Sequence, residues 1–260
     1  MILRRLTKHV KDQNWLAVGL DFLIVVLGVF IGIQLGNWNA ERADARLGEE
    51  YLRQLTRETQ VNLAGIESQA AYYSAVLDSV IRTDELLREA DPDPRELIVN
   101  AYRATEVAYA TPVRSTWDQI ISSGHLGLLP KEVVESGLSQ FYAFDTALDI
   151  YQLGLDSTYR ITARQIIPMH MQIAMRETCS DARDDEGNVV GFMDSCDFDA
   201  GPDELQAVAR ALQSDPAVAA TLSYQYSTAV SAKLNFSGLA QSLENALSAL
   251  GSPVSPEAAE

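Results

Sequence analysis

A run of 21 residues, LAVGLDFLIVVLGVFIGIQLG at positions 16–36, constrains this chain more than any other feature. Fourteen of the 21 are Leu, Ile, Val or Phe. At about −0.3 to −0.6 kcal/mol each on an insertion scale, they outweigh the roughly +3 kcal/mol of one acidic residue in the run, Asp21. At 1.5 Å per residue, such a helix spans about 30–35 Å, the thickness of a bilayer's hydrocarbon core. Trp15 and Trp38 bracket the run where interfacial aromatic anchors sit. The sequence therefore predicts one transmembrane helix over 15–37. A cleaved signal peptide has a shorter apolar core, about 7–15 residues, and a small-x-small cleavage site. Here the run continues into Gln34-Leu35-Gly36-Asn37-Trp38-Asn39, so an uncleaved anchor is expected.

Charge sets the direction of insertion. Residues 1–14 carry Arg4, Arg5, Lys8 and Lys11 against Asp12, a basic stub in a chain whose formal charge is −16. The positive-inside rule then places the stub (1–14) in the cytoplasm and the remainder on the far side. That remainder is strongly acidic. Such a surface repels nucleic acid, which excludes it as a partner. The expected partners are the lipid bilayer and, through the membrane helix, a second copy or another membrane protein.

Within the predicted span, Gly28, Gly32 and Gly36 form two overlapping GxxxG steps on one helix face. Small residues at that spacing let helix backbones approach closely. Asp21, Gly28 and Gly32 follow 7 and 4 spacing, so the acid shares that face. An ionisable residue inside a membrane is a functional hypothesis by default. Asp21 has two readings: it packs, snorkels or pairs with Lys11 or a neighbouring chain, or it carries a proton or ion.

The stretch VGLDFLIVVLGVFIGIQLGNWN, followed by Glu41-Arg42 and Tyr51-Leu52, resembles a family of uncharacterised bacterial single-pass inner-membrane proteins, a domain of unknown function. The shared features are a basic stub, an acidic residue early in the apolar helix and an exit of the form Gln-x-x-Asn-Trp-Asn. Here these are Asp21, Gln34, Asn37, Trp38 and Asn39, with Asp standing where many relatives carry Glu. The segment Ser115-Thr116-Trp117-Asp118-Gln119-Ile120-Ile121-Ser122-Ser123-Gly124-His125-Leu126 is similar to the family's extracytoplasmic part. The resemblance implies a bacterial inner-membrane protein with a periplasmic domain, and it lends no activity.

Beyond the span, residues 38–250 are predicted to form one helical domain, followed by a disordered tail over 251–260. The fold class expected is mainly α, with the transmembrane helix continuing into an extracytoplasmic antiparallel helical bundle. Residues 39–90 lack proline and show heptad spacing at Leu52, Leu55, Thr59, Asn62, Ile66, Gln69, Tyr73, Val76, Val80, Thr83 and Leu87. Four of these are polar, which suits an arm of a bundle better than a two-stranded coiled coil. Further helices are expected from Pro94 to about Ala110, from Ser115 or Thr116 as cap to the stop at Gly124, and from Lys131 to about Arg176 with a kink near Pro168. The last of these carries an apolar stripe of Leu138, Phe141, Tyr142, Leu148, Tyr151, Leu155 and Tyr159, read as core. Two more helices open at Pro202 and Asp215-Pro216, the final one burying Leu222, Tyr226, Val230, Leu234, Leu239, Leu243 and Leu250.

Cys179 and Cys196 bound a small acidic loop. In an oxidising compartment they are expected to form a disulfide; two free thiols or half of a metal site are the other readings, and no CxxC or nearby histidine favours a metal. Within the loop, Asp184-Asp185-Glu186-Gly187-Asn188 reads as a turn, and Val189-Val190 with Phe192-Met193 as a small hairpin. Its acids do not follow the spacing of an EF-hand, since Asp197-Phe198-Asp199-Ala200-Gly201 breaks the register. Met169, Met171 and Met175 read as core methionines rather than copper ligands, because His170 is turned about 100° from its neighbours. Ser122 and Ser123 lie near His125 without a nucleophile-elbow pattern, and no Walker A, GxGxxG or HExxH occurs. No catalytic residue, metal or cofactor is therefore expected. The function expected is a membrane-anchored periplasmic scaffold or interaction protein. The alternatives are an accessory subunit using Asp21 in an ion- or proton-linked complex, and a periplasmic ligand sensor signalling through a membrane partner.

Overall fold

The computed structural model describes residues 15–251 apart from 180 and 186, with the side chains of 15–17 left aside. The predicted stub (1–14) and residues 252–260 of the predicted tail lie outside the described residues; Gly251 itself closes the last helix. Contacts divide the chain into two units, Met1–Tyr51 and Leu52–Glu260.

The first unit consists, as described, of helix. α1 runs from Trp15 to Arg88 without interruption and passes from the first unit into the second. Its first part is long and apolar enough to cross a membrane. Every residue from 18 to 46 is exposed within this chain.

In the second unit α1 supplies a buried face. Of the eleven heptad positions read from the sequence, all but Leu52 and Leu87 are buried, the four polar ones included. α2 (Pro94–Arg103) starts as a capped helix: the Asp93 carboxylate accepts from the Arg95 and Glu96 amides at 2.8 and 3.0 Å, and Pro94 occupies the first turn. It stops at Arg103, short of the expected Ala110. Nothing in the local sequence breaks it. Instead the carbonyls at and just past its end find partners elsewhere: Tyr159 Oη donates to Ala101 O at 3.1 Å, Gln225 Nε2 to Ala104 O at 2.9 Å, and the Arg160 guanidinium to Thr105 O. These donors replace the bonds a longer helix would make.

α3 (Ser115–Ser122) ends before Gly124, whose φ of 71° supplies the left-handed stop, and a 3₁₀ turn follows at His125–Leu128. The single long helix expected over 131–176 is instead a chain of segments: α4 (Lys131–Val133), a π turn (Val134–Leu138), α5 (Ser139–Ala143), α6 (Thr146–Leu155), α7 (Thr158–Ile166) and α8 (Met169–Thr178). Gly137 at φ 102° breaks the first helix. Asp145 and Ser157 then restart it, their side chains accepting from Leu148 N at 3.0 Å and Arg160 N at 3.4 Å. Of the predicted stripe, Leu138, Tyr142 and Tyr159 are buried, whereas Leu155 is exposed.

The Cys179–Cys196 disulfide forms and encloses a two-stranded hairpin. β1 (Asp181–Arg183) pairs antiparallel with β2 (Val189–Phe192), so the partner of Val189-Val190 is the strand before the acidic turn rather than Phe192-Met193. The Asp184 carboxylate closes that turn, accepting from Asn188 N at 2.7 Å and Asn188 Nδ2 at 2.9 Å.

α9 (Pro202–Ser214) packs on α2 and α7, and α10 (Pro216–Gly251) packs on α6, α7 and the π turn. Of the line of large residues expected on α10, Leu222, Leu243 and Leu250 are buried, whereas Tyr226 and Leu234 are exposed. Between them the buried face passes through Gln225, Ala229, Ala232 and Phe236. At the π turn the approach is close: a Cβ on Gly137 would lie 2.5 Å from Ser242 Oγ. One core cluster joins the end of α1 to α2, α7, α8, α9 and the start of α10, with Met171 and Met175 fully buried in it.

Candidate functional site

The apolar part of α1 carries the residues singled out from the sequence. Thirteen large apolar side chains between Val18 and Leu35 are exposed within this chain. A Cβ added at Gly28, Gly32 or Gly36 would meet no atom within 4 Å, so the glycine face is open to close approach. Asp21 lies on the same segment and is exposed. At the segment's end the Arg42 guanidinium stacks over the Trp38 ring, 3.7 Å from its centroid. Trp15 opens the helix, and its side chain lies outside what is described.

Sequence reasoning missed the chief polar centre of the second unit. Glu58 projects from α1 and is 5% exposed. Its carboxylate accepts from Thr116 N at 2.7 Å, Trp117 N at 3.3 Å, Ser115 Oγ at 3.2 Å and Tyr142 Oη at 2.9 Å. α3 has no side-chain cap of its own, so the expected cap by Ser115 or Thr116 is replaced by an acid 57 residues earlier. A carboxylate at a helix N-terminus satisfies orphan amides and complements the helix dipole. One turn on, Asn62 clamps the chain before α3, accepting from Val113 N and donating to Val113 O, both at 2.7 Å. The Trp117 and Tyr142 rings stack at 5.1 Å over this network. Burial and then the Glu58 charge hold the Tyr142 hydroxyl well above its usual range.

A second cluster ties α2 to α7. Arg164 pairs with Glu106, its Nε donates to Thr105 Oγ1 at 2.8 Å, and its guanidinium lies 4.5 Å from the Tyr102 ring centroid. Burial lowers the neighbouring Arg160, which the positive Arg164 lowers further. Both clusters are saturated with internal partners, and their chemistry is that of structure.

A third feature is a cleft of about 210 Å³ where α1, the chain 110–113, the α5–α6 corner, the hairpin turn and α10 converge. Ile66, Phe141, Phe144 and Leu239 form apolar walls, and Gly65, Gln69 and Asp145 border it.

His170 Nε2 lies 3.1 Å from Glu204 Oε1 at the surface. Ser122 Oγ donates to its own helix at Gln119 O. Among the described residues, no three His, Cys, Asp or Glu side chains gather as a metal site. Compared with known protein families, curated proteins and solved structures, the chain matches none.

Proposed function

We propose that this protein is a membrane-anchored scaffold or interaction module that associates with copies of itself through the glycine face of its apolar helix. The chain crosses a bacterial inner membrane once, near 15–37, with its basic stub cytoplasmic and an antiparallel helical bundle in the periplasm. The observation that carries this reading is the set of thirteen large apolar side chains exposed between Val18 and Leu35. Burying them in lipid or against another helix is worth on the order of 20–40 kcal/mol, more than a folded domain's whole stability. Trp38 with Arg42 suits the membrane interface. The Cys179–Cys196 disulfide suits an oxidising compartment. The resemblance of the first 55 residues to single-pass inner-membrane proteins points the same way. Pairing through Gly28 and Gly32 also removes Asp21 from lipid, because the acid shares their face.

The test is the mass of the full-length protein purified from its own membranes in mild detergent, by mass photometry with mass spectrometry of co-purifying chains. A homo-oligomer is expected. Gly28→Leu with Gly32→Leu is expected to reduce it to the protomer while far-UV circular dichroism stays unchanged, since neither Cβ meets an atom in this chain. Asp21→Asn should leave the oligomer intact. A protomeric wild type overturns the reading. A stoichiometric multi-span partner replaces it with the accessory-subunit reading, in which Asp21 acts on an ion or proton.

A further inference from the structure

We propose that the cleft over Gly65 binds a small uncharged ligand bearing a ring and an amide. The inference is independent of self-association in the membrane. Its starting point is a glycine in the middle of α1. Glycine inside a helix costs about 1 kcal/mol relative to alanine. At Gly154 the reason is visible, because a Cβ there would lie 2.4 Å from Val107 Cγ1. At Gly65 no packing reason exists: a Cβ would meet nothing within 4 Å, and the open space is the cleft itself.

One turn further along the same helix, Gln69 also lines the cleft and is 4% exposed. Its Oε1 is buried without a hydrogen-bond partner, and its Nε2 reaches Gly65 O only at 3.5 Å. An unsatisfied buried acceptor is costly, and a donor supplied to it is rewarded. Rotation of the Gln69 side chain gives up only that long contact, and aimed into the cleft its carboxamide presents an acceptor and a donor side by side. A ligand amide matches that pair, its N–H donating to Oε1 and its carbonyl accepting from Nε2.

The walls define the rest of the ligand. Ile66, Phe141 and Leu239 offer apolar surface, and Phe144 stands 66% exposed at the rim. Among the described residues the one titratable lining residue is Asp145, and both its oxygens are engaged, by Leu148 N and by Tyr109 Oη. No cation among the described residues lines the cleft, so an anionic ligand finds no opposite charge there. A volume of about 210 Å³ is below the range of drug-sized sites, roughly 300–1,000 Å³, and suits a single ring with one polar group. The chain forming one wall is held in place by the Asn62 clamp on Val113, so the site is largely preformed.

The probe is benzamide, titrated into the full-length protein in mild detergent and followed by saturation-transfer NMR, with benzoate as the anionic counterpart of the same shape. Saturable benzamide binding is expected, and none for benzoate. Gly65→Leu fills the cleft and is expected to abolish the saturable signal; subtracting its residual signal removes partition into the micelle. Gln69→Leu should weaken binding about tenfold, the worth of one or two hydrogen bonds. Phe144→Ala, at an exposed position that leaves folding intact, should also weaken it. Absence of saturable binding in the wild type, equal binding of benzoate, or binding unchanged in both Gln69→Leu and Phe144→Ala overturns the proposal.

Discussion

Replacing Glu58 by alanine tests whether one buried carboxylate on α1 anchors α3. The substitution removes the acceptor for Thr116 N, Trp117 N, Ser115 Oγ and Tyr142 Oη. Thr116, Trp117 and Tyr142 are all buried, so water does not readily replace the lost partner. Each orphaned donor costs about 1–3 kcal/mol, against which the carboxylate's own desolvation is recovered. The net loss expected is on the order of 3–5 kcal/mol. For a unit of this size, that lowers the unfolding midpoint by roughly 6–20 °C. The assay is thermal unfolding of the full-length protein in mild detergent, followed by far-UV circular dichroism at neutral pH. Near-UV signal from the stacked Trp117–Tyr142 pair should fall in the folded variant. Glu58→Gln keeps one acceptor oxygen but sets a donor against backbone amides, so it should lie between wild type and Glu58→Ala. Glu67→Ala, at an exposed position of the same helix, is the control and should change stability by less than about 0.5 kcal/mol. A Glu58→Ala midpoint indistinguishable from that of Glu67→Ala would refute the remote cap.

Two further predictions rest on burial and packing. Burial holds the hydroxyls of Tyr72, Tyr73, Tyr142 and Tyr159 above the ordinary tyrosine value of 10.0, with Tyr73 pushed up to about 12. The folded state therefore keeps protons that the unfolded chain releases, and the stability present below pH 10 is lost as pH rises toward the folded values. The slope reaches about 1.4 kcal/mol per pH unit for each tyrosine, or roughly 5 for the four together. Urea midpoints that stay flat between about pH 9 and 11 would contradict this. Gly154→Ala should destabilise by about 1–3 kcal/mol because its Cβ runs into Val107, whereas Gly65→Ala should be neutral or stabilise by up to about 1 kcal/mol. Equal effects in urea unfolding would remove the packing distinction between the two glycines.

Much of α1 was legible because its signals are local and periodic. The apolar run and the heptad spacing from Leu52 to Leu87 need only the chain's own order to be read. The polar heptad residues were legible as positions, and their partners were not. Nothing near Asn62 indicates that it holds Val113, 51 residues on. Glu58 stands beside Thr59 on the buried side of α1 and resembles any helical glutamate. Its role becomes visible only when α3 arrives with an uncapped N-terminus. The breaks between 131 and 176 have local signals in Gly137, Asp145 and Ser157, but the apolar stripe that runs through them has the period of one continuous helix.

By itself the sequence determined that a long helix carries an extended apolar surface, that its glycines and Asp21 share one face, and that two cysteines close an acidic loop. These follow from spacing along one chain segment, where 3.6 residues per turn fixes what faces what. The tertiary structure decided where α2 stops, which face of α10 turns inward, and which acid caps α3. It also placed Gly65 and Gln69 at a cleft. Each of these depends on a donor, an acceptor or a close approach from a residue tens of positions away, and no local pattern records that neighbour.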